Sequence, residues 1–243
     1  MKAPRFGPGA GATLRLVYFW NFKSVSQRPT LDFERALWQI GVQNVAGVDE
    51  AGRGAWAGPV VAGAVVLPDR ADAAAALDEV NDSKQLSATL RERLYDRITA
   101  HAVFWATGSA SAAEIDTVGI LPATRLAMQR AVAGLACQPQ HLLIDHVRLP
   151  ALLVAQQSIT RGDSLSLSIA AASILAKVTR DRLMIDAEQT WPGYGFARHK
   201  GYGTAEHIRQ LRLLGPCPIH RTSFQPVRGW QMALLPGLAG SER

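Results

Sequence analysis

Two adjacent carboxylates, Asp49 and Glu50, close a short apolar run, and a glycine-rich segment, Gly52-Arg53-Gly54, follows them at once. Consecutive side chains of a β-strand point to opposite faces, so both acids can share one site only where the strand ends or bends. The glycines supply that freedom and let another backbone approach closely. The stretch therefore predicts a metal and phosphate site at the end of a strand.

A different interpretation of these glycines is a dinucleotide-binding fingerprint, because Gly52, Gly54 and Gly58 follow an apolar run. That fingerprint needs a helix directly after the glycines, so that the helix N-terminus meets the pyrophosphate. Here Pro59 and a valine-rich run follow, which is typical of a strand. Two carboxylates before the loop would also repel phosphate unless a cation intervened. We therefore disfavour a nucleotide cofactor.

Two further acids are candidates for the same site. Asp145 closes another apolar run, and Asp163 follows Gly162 just before a long alanine-rich segment. In open α/β sheets, sites collect at the carboxyl ends of the strands. Converging carboxylates without a Cys or His cluster favour Mg²⁺ or Mn²⁺, and two such ions suit in-line phosphodiester hydrolysis. Ordinary turn or capping roles remain the alternative for Asp145 and Asp163.

Other acids have a simpler explanation. They lie within the alanine-rich segment among basic residues, at spacings that suit ion pairs along one helix. These acids are Asp181, Asp186 and Glu188, among Lys177, Arg180 and Arg182.

The charge distribution suggests a polyanionic partner. The formal net charge is +6, and residues 198–221 contain five Lys or Arg against one acid, Glu206. A basic segment beside an acidic site is what binding of a phosphate backbone combined with metal chemistry requires. A merely solvated basic face is the alternative.

The elements that must position these residues follow from the hydrophobic pattern. Near-continuous apolar strands alternate with helical segments, which predicts an α/β sheet covered on both faces. The predicted strands are 45–49, 60–67, 103–109, 141–145 and 152–156. The predicted helices are 31–40 (with Thr30 as N-cap), 87–100, a short one from Ser111, 122–135, 166–188 and 204–214, with a helical turn within 71–79.

Composition bounds the class of protein. The chain is 48% hydrophobic and 19% charged, which suits a globular core. It has no apolar run of about 18 residues and no secretory signal pattern, and two cysteines imply neither a disulfide framework nor a zinc site. We expect a cytoplasmic monomer with no membrane contact. The expected organisation is a disordered extension (1–29), a catalytic domain (30–190) and a helical or irregular substrate-binding part with a tail (191–243).

Several motifs together resemble one family, bacterial ribonuclease HII, in the expected order over roughly residues 30–230. The match rests on separate short segments rather than on one pattern. They are Val48–Gly54, Asp82–Ser87, Leu143–Asp145, Gly162–Asp163, Ser168–Asp181, Tyr194–Phe196, His199–Thr204 and His220–Phe224.

This resemblance implies a ribonuclease H-like fold, a mixed five-stranded sheet flanked by helices with a small helical C-terminal part. It implies cleavage of the RNA strand of RNA–DNA hybrids and incision 5′ of single ribonucleotides embedded in duplex DNA, leaving 5′-phosphate and 3′-hydroxyl ends. By position, the metal-binding acids would be Asp49, Glu50, Asp145 and Asp163, with two divalent ions in the substrate complex.

The resemblance also assigns substrate contacts. The segment Gly52-Arg53-Gly54 matches the loop that holds the ribonucleotide and its phosphate, and Tyr202 matches the tyrosine that stacks on the sugar at the junction. The 2′-hydroxyl distinguishes RNA from DNA at such a site. Further phosphate contacts are expected from Ser83, Lys84, His199, Lys200 and Arg221.

One position departs from the family pattern. The family usually has glycine after its third aspartate, whereas this chain has His146 after Asp145. We expect Asp145 to remain a metal ligand and His146 to make an outer contact. The tail segment 231–235 loosely resembles peptides that dock on the bacterial sliding clamp, but packing on the protein body is the preferred interpretation.

Two other functions stay open. One is a metal nuclease or recombinase of the same fold that acts on DNA alone, against which the glycine loop and Tyr202 argue. The other is a non-catalytic protein that binds hybrids, for which the acids would have to be dispensable.

Overall fold

The computed structural model describes residues 28–233, so most of the predicted extension 1–29 and the end of the tail lie outside the described residues. The strands are β1 Val45–Ala51, β2 Val60–Val66, β3 Phe104–Ala110, β4 His141–Asp145 and β5 Ala155–Ile159. The helices are α1 Asp32–Trp38, α2 Ala71–Ala76, α3 Ala88–His101, α4 Ala112–Val118, α5 Ile120–Ala133, α6 Leu167–Thr190, α7 Phe196–His199, α8 Ala205–Leu214 and α9 Val227–Ala233, with 3-10 turns at Ser83–Gln85 and Gly162–Ser164.

The five strands form one mixed sheet in the order β3-β2-β1-β4-β5. The pairs β3–β2 and β2–β1 are antiparallel, whereas β1–β4 and β4–β5 are parallel. Because β1 and β4 run side by side in the same direction, their carboxyl ends meet at one edge of the sheet. The predicted fold class, a mixed five-stranded α/β sheet, is confirmed.

Helix α6 lies unusually close to one face of the sheet. A Cβ added at Gly47 would lie 2.2 Å from the main-chain carbon of Ser168, and one added at Gly63 would lie 2.4 Å from the carbonyl oxygen of Ala172. Any side chain at either glycine would push the helix away. Small residues of this helix, such as Ala172, therefore allow it to pack closely on the sheet.

The opposite face of the sheet is covered by α5, whose Ala127, Met128 and Ala131 are fully buried. A Cβ at Gly108 of β3 would lie 2.4 Å from the main-chain nitrogen of Ala131, so this helix also approaches through a glycine. The sheet is thus covered on both faces, as the apolar strands predict.

Strands β1 and β5 differ most from the sequence prediction. Strand β1 continues through Ala51, because its pairing with β2 extends to Ala51 opposite Val61. Strand β5 begins at Ala155 rather than at residue 152. The preceding turn is closed by Gln156, whose side-chain amide bonds both the main-chain nitrogen and the carbonyl of Leu149.

The C-terminal part packs on the far end of α6. Met184 of that helix joins Tyr194, Phe196, Cys217 and Ala57 in a small apolar cluster. This contact brings residues 191–221 against the loop that follows β1. Within residues 28–233, none of the helices combines the length and the apolar character needed to cross a membrane.

Candidate active site

Two neighbouring strands and one turn bring the four predicted acids to one edge of the sheet. Asp49 and Glu50 lie near the end of β1, and Asp145 is the last residue of the adjacent parallel strand. Asp163 lies in the 3-10 turn that follows β5. The structure therefore gathers all four, although Asp49 and Glu50 sit within a continuing strand.

The acids are buried or half-buried and repel one another. Burial, followed by the charges of Glu50 and Asp145, raises the pKa of Asp49 well above its ordinary value. Burial also raises the pKa of Glu50, although Arg53 opposes this shift from 3.2 Å. The pKa of Asp145 is raised by burial, against a hydrogen bond of 2.7 Å from the main-chain nitrogen of Gly162. Such a group of carboxylates calls for a positive charge.

One lysine partly supplies that charge. The Lys84 ammonium lies 3.4 Å from Asp163 and 4.0 Å from Asp82. Burial lowers the pKa of Lys84, but the carboxylates of Asp163, Asp82 and Asp49 outweigh burial, so this pKa is raised. Lys84, for which a phosphate contact is predicted, therefore lies beside the acids, with a side chain that is 79% exposed.

The donor set fits a hard divalent cation. The Glu50 Oε2 atom is buried without a hydrogen-bond partner, which leaves one carboxylate oxygen ready to accept a cation. Carboxylate oxygens are the preferred ligands of Mg²⁺ and Mn²⁺. Within the part of the chain that the structure describes, no three acid, His or Cys side chains lie close enough together to form a complete metal cage.

Two serines, Ser83 and Ser173, contact each other beside Asp49. Ser173 of α6 acts to lower the pKa of Asp49, against the larger effect of burial, and its hydroxyl lies 2.9 Å from the hydroxyl of Ser83. Ser83 is only 4% exposed. Its predicted role as a phosphate contact is therefore replaced by support of Asp49, and Ser173 is a residue that sequence reasoning missed.

The loop after β1, residues 52–59, is held by two buried arginines. Arg221 donates to the carbonyls of Gly52 (2.7 Å), Arg53 (2.8 Å) and Gly58 (3.0 Å). Arg180 donates to the carbonyls of residues 59 (2.9 Å) and 57 (3.0 Å). Both arginines are fully buried. Arg221, predicted to contact phosphate, therefore has no exposed surface for it and instead fixes the loop.

Two of the three glycines in this loop, Gly52 and Gly54, differ in their surroundings. Gly52 has a φ of +93°, and a Cβ there would lie 2.0 Å from the Arg180 Nε atom. Gly54 has nothing within 4 Å of an added Cβ and is exposed. Gly52 is thus required by the protein itself, whereas Gly54 leaves open space for another molecule.

Tyr202 lies beside this loop. The Arg180 guanidinium carbon is 5.2 Å from the centroid of its ring, and the Lys177 ammonium is 5.5 Å away. The ring also borders an open cavity of about 370 Å³ with a mixed basic and acidic lining that includes Lys200. Tyr202 and Lys200 are therefore placed next to the loop, as predicted, whereas His199 is buried and bonds only main-chain groups.

Three residues with left-handed backbone conformations adjoin the candidate site. They are His146 (φ 53°), Arg161 (φ 56°) and Lys200 (φ 53°). Each lies within two residues of Asp145, Asp163 or Tyr202. Strained conformations of this kind are often retained where the backbone must place a functional side chain.

The acids of α6 for which helical ion pairs are predicted form them only in part. Asp181 pairs with Lys177 at 2.7 Å, which confirms an ordinary helical ion pair. Glu188 instead accepts main-chain N–H bonds from Gly193 and Gly195. Arg180, one of the basic residues near these acids, instead donates to main-chain carbonyls of the loop 52–59.

Comparison with known proteins gives a consistent result. The model of the family Ribonuclease HII matches residues 46–227. A ribonuclease HII of Chloroflexus aggregans is 56% identical over 200 residues, covering 82% of this chain and 94% of the relative. The crystal structure of ribonuclease H2 from Pyrococcus horikoshii superposes with a TM-score of 0.65 at 25% identity, covering 78% of this chain and 98% of that one. The fold is also similar to Bst-RNase HIII in complex with Mn²⁺, with a TM-score of 0.62, 22% identity and coverage of 82% and 72%.

Proposed function

The chain belongs to the ribonuclease HII family and is a hydrolytic endonuclease of the ribonuclease H type. From this assignment we propose the substrates of its reaction and the residues that act in it. It hydrolyses the RNA strand of RNA–DNA hybrids and incises duplex DNA on the 5′ side of a single ribonucleotide. The products carry 5′-phosphate and 3′-hydroxyl ends. The observation that carries this proposal is the convergence of two buried acids, Asp49 and Asp163, and two half-buried acids, Glu50 and Asp145, beside the loop 52–59 and Tyr202.

Asp49, Glu50, Asp145 and Asp163 hold Mg²⁺ or Mn²⁺ in this proposal. The unpartnered Glu50 oxygen and the raised pKa values of Asp49, Glu50 and Asp145 support it. When bound, two such ions would supply Lewis-acid activation of water and stabilisation of the leaving oxygen. The Bst-RNase HIII neighbour, a complex with Mn²⁺, is consistent with a divalent ion on this fold.

The chain's own residues recognise the ribonucleotide. Gly54 offers open space where a nucleotide backbone can approach, and the 2′-hydroxyl can both donate and accept there. Arg53 is 41% exposed and contacts Glu50, so its guanidinium can meet a phosphate beside the acids. Tyr202 presents a half-buried ring, held near two cations, on which a sugar can stack. Lys84 and Lys200 add positive charge along the same path.

Paired substrates test the specificity. A DNA duplex with one ribonucleotide and an RNA–DNA hybrid should both be cleaved in Mg²⁺ or Mn²⁺, whereas an all-DNA duplex should stay intact. Asp145→Asn should abolish cleavage while hybrid binding, measured by fluorescence anisotropy, persists. Cleavage of the all-DNA duplex would favour a DNA nuclease, and full activity of Asp145→Asn would exclude the metal mechanism.

Metal binding can be tested without turnover. Mg²⁺ or Mn²⁺ should raise the melting temperature of the wild type, because a ligand that binds the native state stabilises it. Asp49→Asn should reduce that metal-dependent rise and, without metal, should raise stability by about 1 kcal/mol because a buried repelling charge is removed. Asp181→Asn is the matched control, since its carboxylate pairs with Lys177. An equal metal response in both variants would refute the assignment.

The expectations of a monomer and of a sliding-clamp partner stay predictions. The segment 231–235 overlaps the end of α9, and its last residues lie outside the described range. Light scattering of the purified protein would test the first expectation. Loss of binding to a purified clamp on deletion of residues 231–243 would support the second.

A further inference from the structure

Three buried histidines, His199, His207 and His220, lie under Tyr202 and away from the acids. The rings of His199 and His207 stack with centroids 4.4 Å apart, and the Nε2 atoms of His207 and His220 are 3.0 Å apart. The chemistry proposed above uses none of these rings directly. Their contacts nevertheless end on the main chain at Tyr202.

The positions of the protons follow from the partners. The His207 Nδ1 atom lies 3.0 Å from the carbonyl oxygen of Tyr202, which can only accept, so Nδ1 carries the proton. In the neutral ring, Nε2 of His207 must then accept, and the facing Nε2 of His220 donates. The Nδ1 atom of His220 accepts from the main-chain N–H of Cys217 at 2.9 Å. The opposite tautomer of His220 would set two lone pairs against each other.

Burial supports this assignment of protons to neutral rings, because burial lowers the pKa of both His207 and His220 to about 4. Both rings are therefore neutral at pH 7, and His220 fixes the tautomer of His207. An imidazole whose second nitrogen is held in this way presents one defined donor to its partner.

His199 fixes the main-chain N–H side of the same residue, Tyr202. Its carbonyl accepts from the main-chain N–H of Tyr202 at 2.9 Å, and its Nδ1 accepts from the N–H of Gly201 at 3.1 Å. The carbonyl of Gly201 accepts in turn from Trp56 of the loop 52–59 at 2.8 Å. The main chain of Tyr202 is thus fixed between the histidines and that loop.

We propose that His207 is a positioning residue for the reaction: through its Nδ1 hydrogen bond it fixes Tyr202 beside the loop that recognises the ribonucleotide. His220 supports it by setting the tautomer. This inference rests on the proposed contact between Tyr202 and the sugar. Loss of the bond should lower kcat/KM on a single-ribonucleotide duplex about tenfold, as expected for one buried hydrogen bond.

Two amide substitutions separate the two nitrogens of His207. The side-chain amide of Asn reaches the position of Nδ1, so His207→Asn should keep the bond to Tyr202 and stay within about threefold of wild type. The amide of Gln reaches the position of Nε2, so His207→Gln should lose the bond and show the full tenfold decrease. A merely structural role predicts similar activity in both variants. Melting temperatures and circular dichroism show whether each variant is folded.

A double-mutant cycle with Tyr202→Ala decides whether His207 acts through Tyr202. The carbonyl at position 202 remains in that variant, but no ring is left to position, so His207→Gln should cost nothing further. An additional tenfold loss would overturn the inference and leave the role of Tyr202 intact. Full activity of Tyr202→Ala alone would instead remove both the inference and the proposed role of Tyr202.

If His207→Gln does not fold, the same cycle can be made at His220. His220→Gln keeps a donor facing the His207 Nε2 atom and should stay close to wild type. His220→Leu loses that donor and should lower kcat/KM in the wild-type background but not in Tyr202→Ala. Equal activity of these two variants would also overturn the inference.

Discussion

Gly52→Ala tests the difference between Gly52 and Gly54 of the loop 52–59. The added Cβ would lie 2.0 Å from Arg180 Nε, 2.4 Å from its Cδ and 2.8 Å from its Cζ. Arg180 cannot swing away cheaply, because it is fully buried and donates to the carbonyls of Pro59 and Ala57. The backbone at Gly52 is also at φ +93°, which disfavours alanine in any surroundings.

The expected loss of stability has two parts. A left-handed conformation costs a non-glycine residue about 1–2 kcal/mol. Forcing a methyl group into a packed site costs a further 1–3 kcal/mol or so. The total of roughly 2–5 kcal/mol corresponds to a decrease in melting temperature of about 4–20 °C for a chain of this size.

Urea denaturation followed by circular dichroism measures this free energy, and cleavage of a single-ribonucleotide duplex measures the effect on function. The matched control is Gly54→Ala, in the same motif, where an added Cβ meets nothing within 4 Å. Its free energy of unfolding should stay within about 0.5 kcal/mol of wild type. Its kcat/KM should nevertheless fall, because the methyl group occupies space proposed for the nucleotide.

The reasoning would be refuted if Gly52→Ala melted within about 1 °C of wild type, a change well below that expected for 1 kcal/mol. It would also fail if Gly54→Ala were destabilised to the same extent, since only Gly52 faces a buried guanidinium. An active Gly54→Ala variant with unchanged kcat/KM would leave the packing argument standing but remove the proposed role of that glycine in substrate approach.

Three further outcomes follow from the structure. Burial lowers the pKa of His207 and His220 to about 4, below the pKa near 6.5 of a histidine in the unfolded chain. Their contribution to the free energy of unfolding is therefore complete above pH 6.5 or so and is lost as the pH falls from there toward 4. Each should lower the free energy of unfolding by about 2 kcal/mol between pH 7 and 5, measured by urea titration at each pH. His146→Gly should raise thermal stability by about 0.5–1 kcal/mol, since φ there is 53°, and no increase in melting temperature would contradict this strain argument. Glu34→Ala should cost about 2–3 kcal/mol in chemical denaturation, because it leaves the buried N–H and hydroxyl of Ser168 without their acceptor; unchanged stability would contradict the bonding.

The site acids were predictable because local sequence encodes them. Asp145 ends an apolar run, and parallel pairing places that end beside Asp49. The continuation of β1 through Ala51 was not predictable in this way, because it depends on pairing with β2 across a loop. The sequence therefore located the two adjacent acids but misplaced the end of their strand.

The roles of the basic residues were harder to predict for a physical reason. Arg180 lies in a helix among Lys177 and Asp181, where ordinary ion pairing explains any charge. Arg221 lies in a basic segment that suits phosphate binding. Both arginines instead donate to main-chain carbonyls of the loop 52–59. Every residue has a main-chain carbonyl, so residue types do not show where such acceptors lie. Burial of an arginine against a distant loop is a tertiary property.

The cations near the candidate site fall into two groups that differ in burial. In the described part of the chain, the buried Arg180 and Arg221 donate to main-chain carbonyls of the loop rather than to the acids. The cations that do contact the acids are Arg53 and Lys84, whose side chains are 41% and 79% exposed. Exposed side chains can move aside when a divalent ion binds, whereas buried ones cannot. Buried cations therefore shape the loop, whereas exposed ones contact the carboxylates, as the proposed binding of metal and substrate requires.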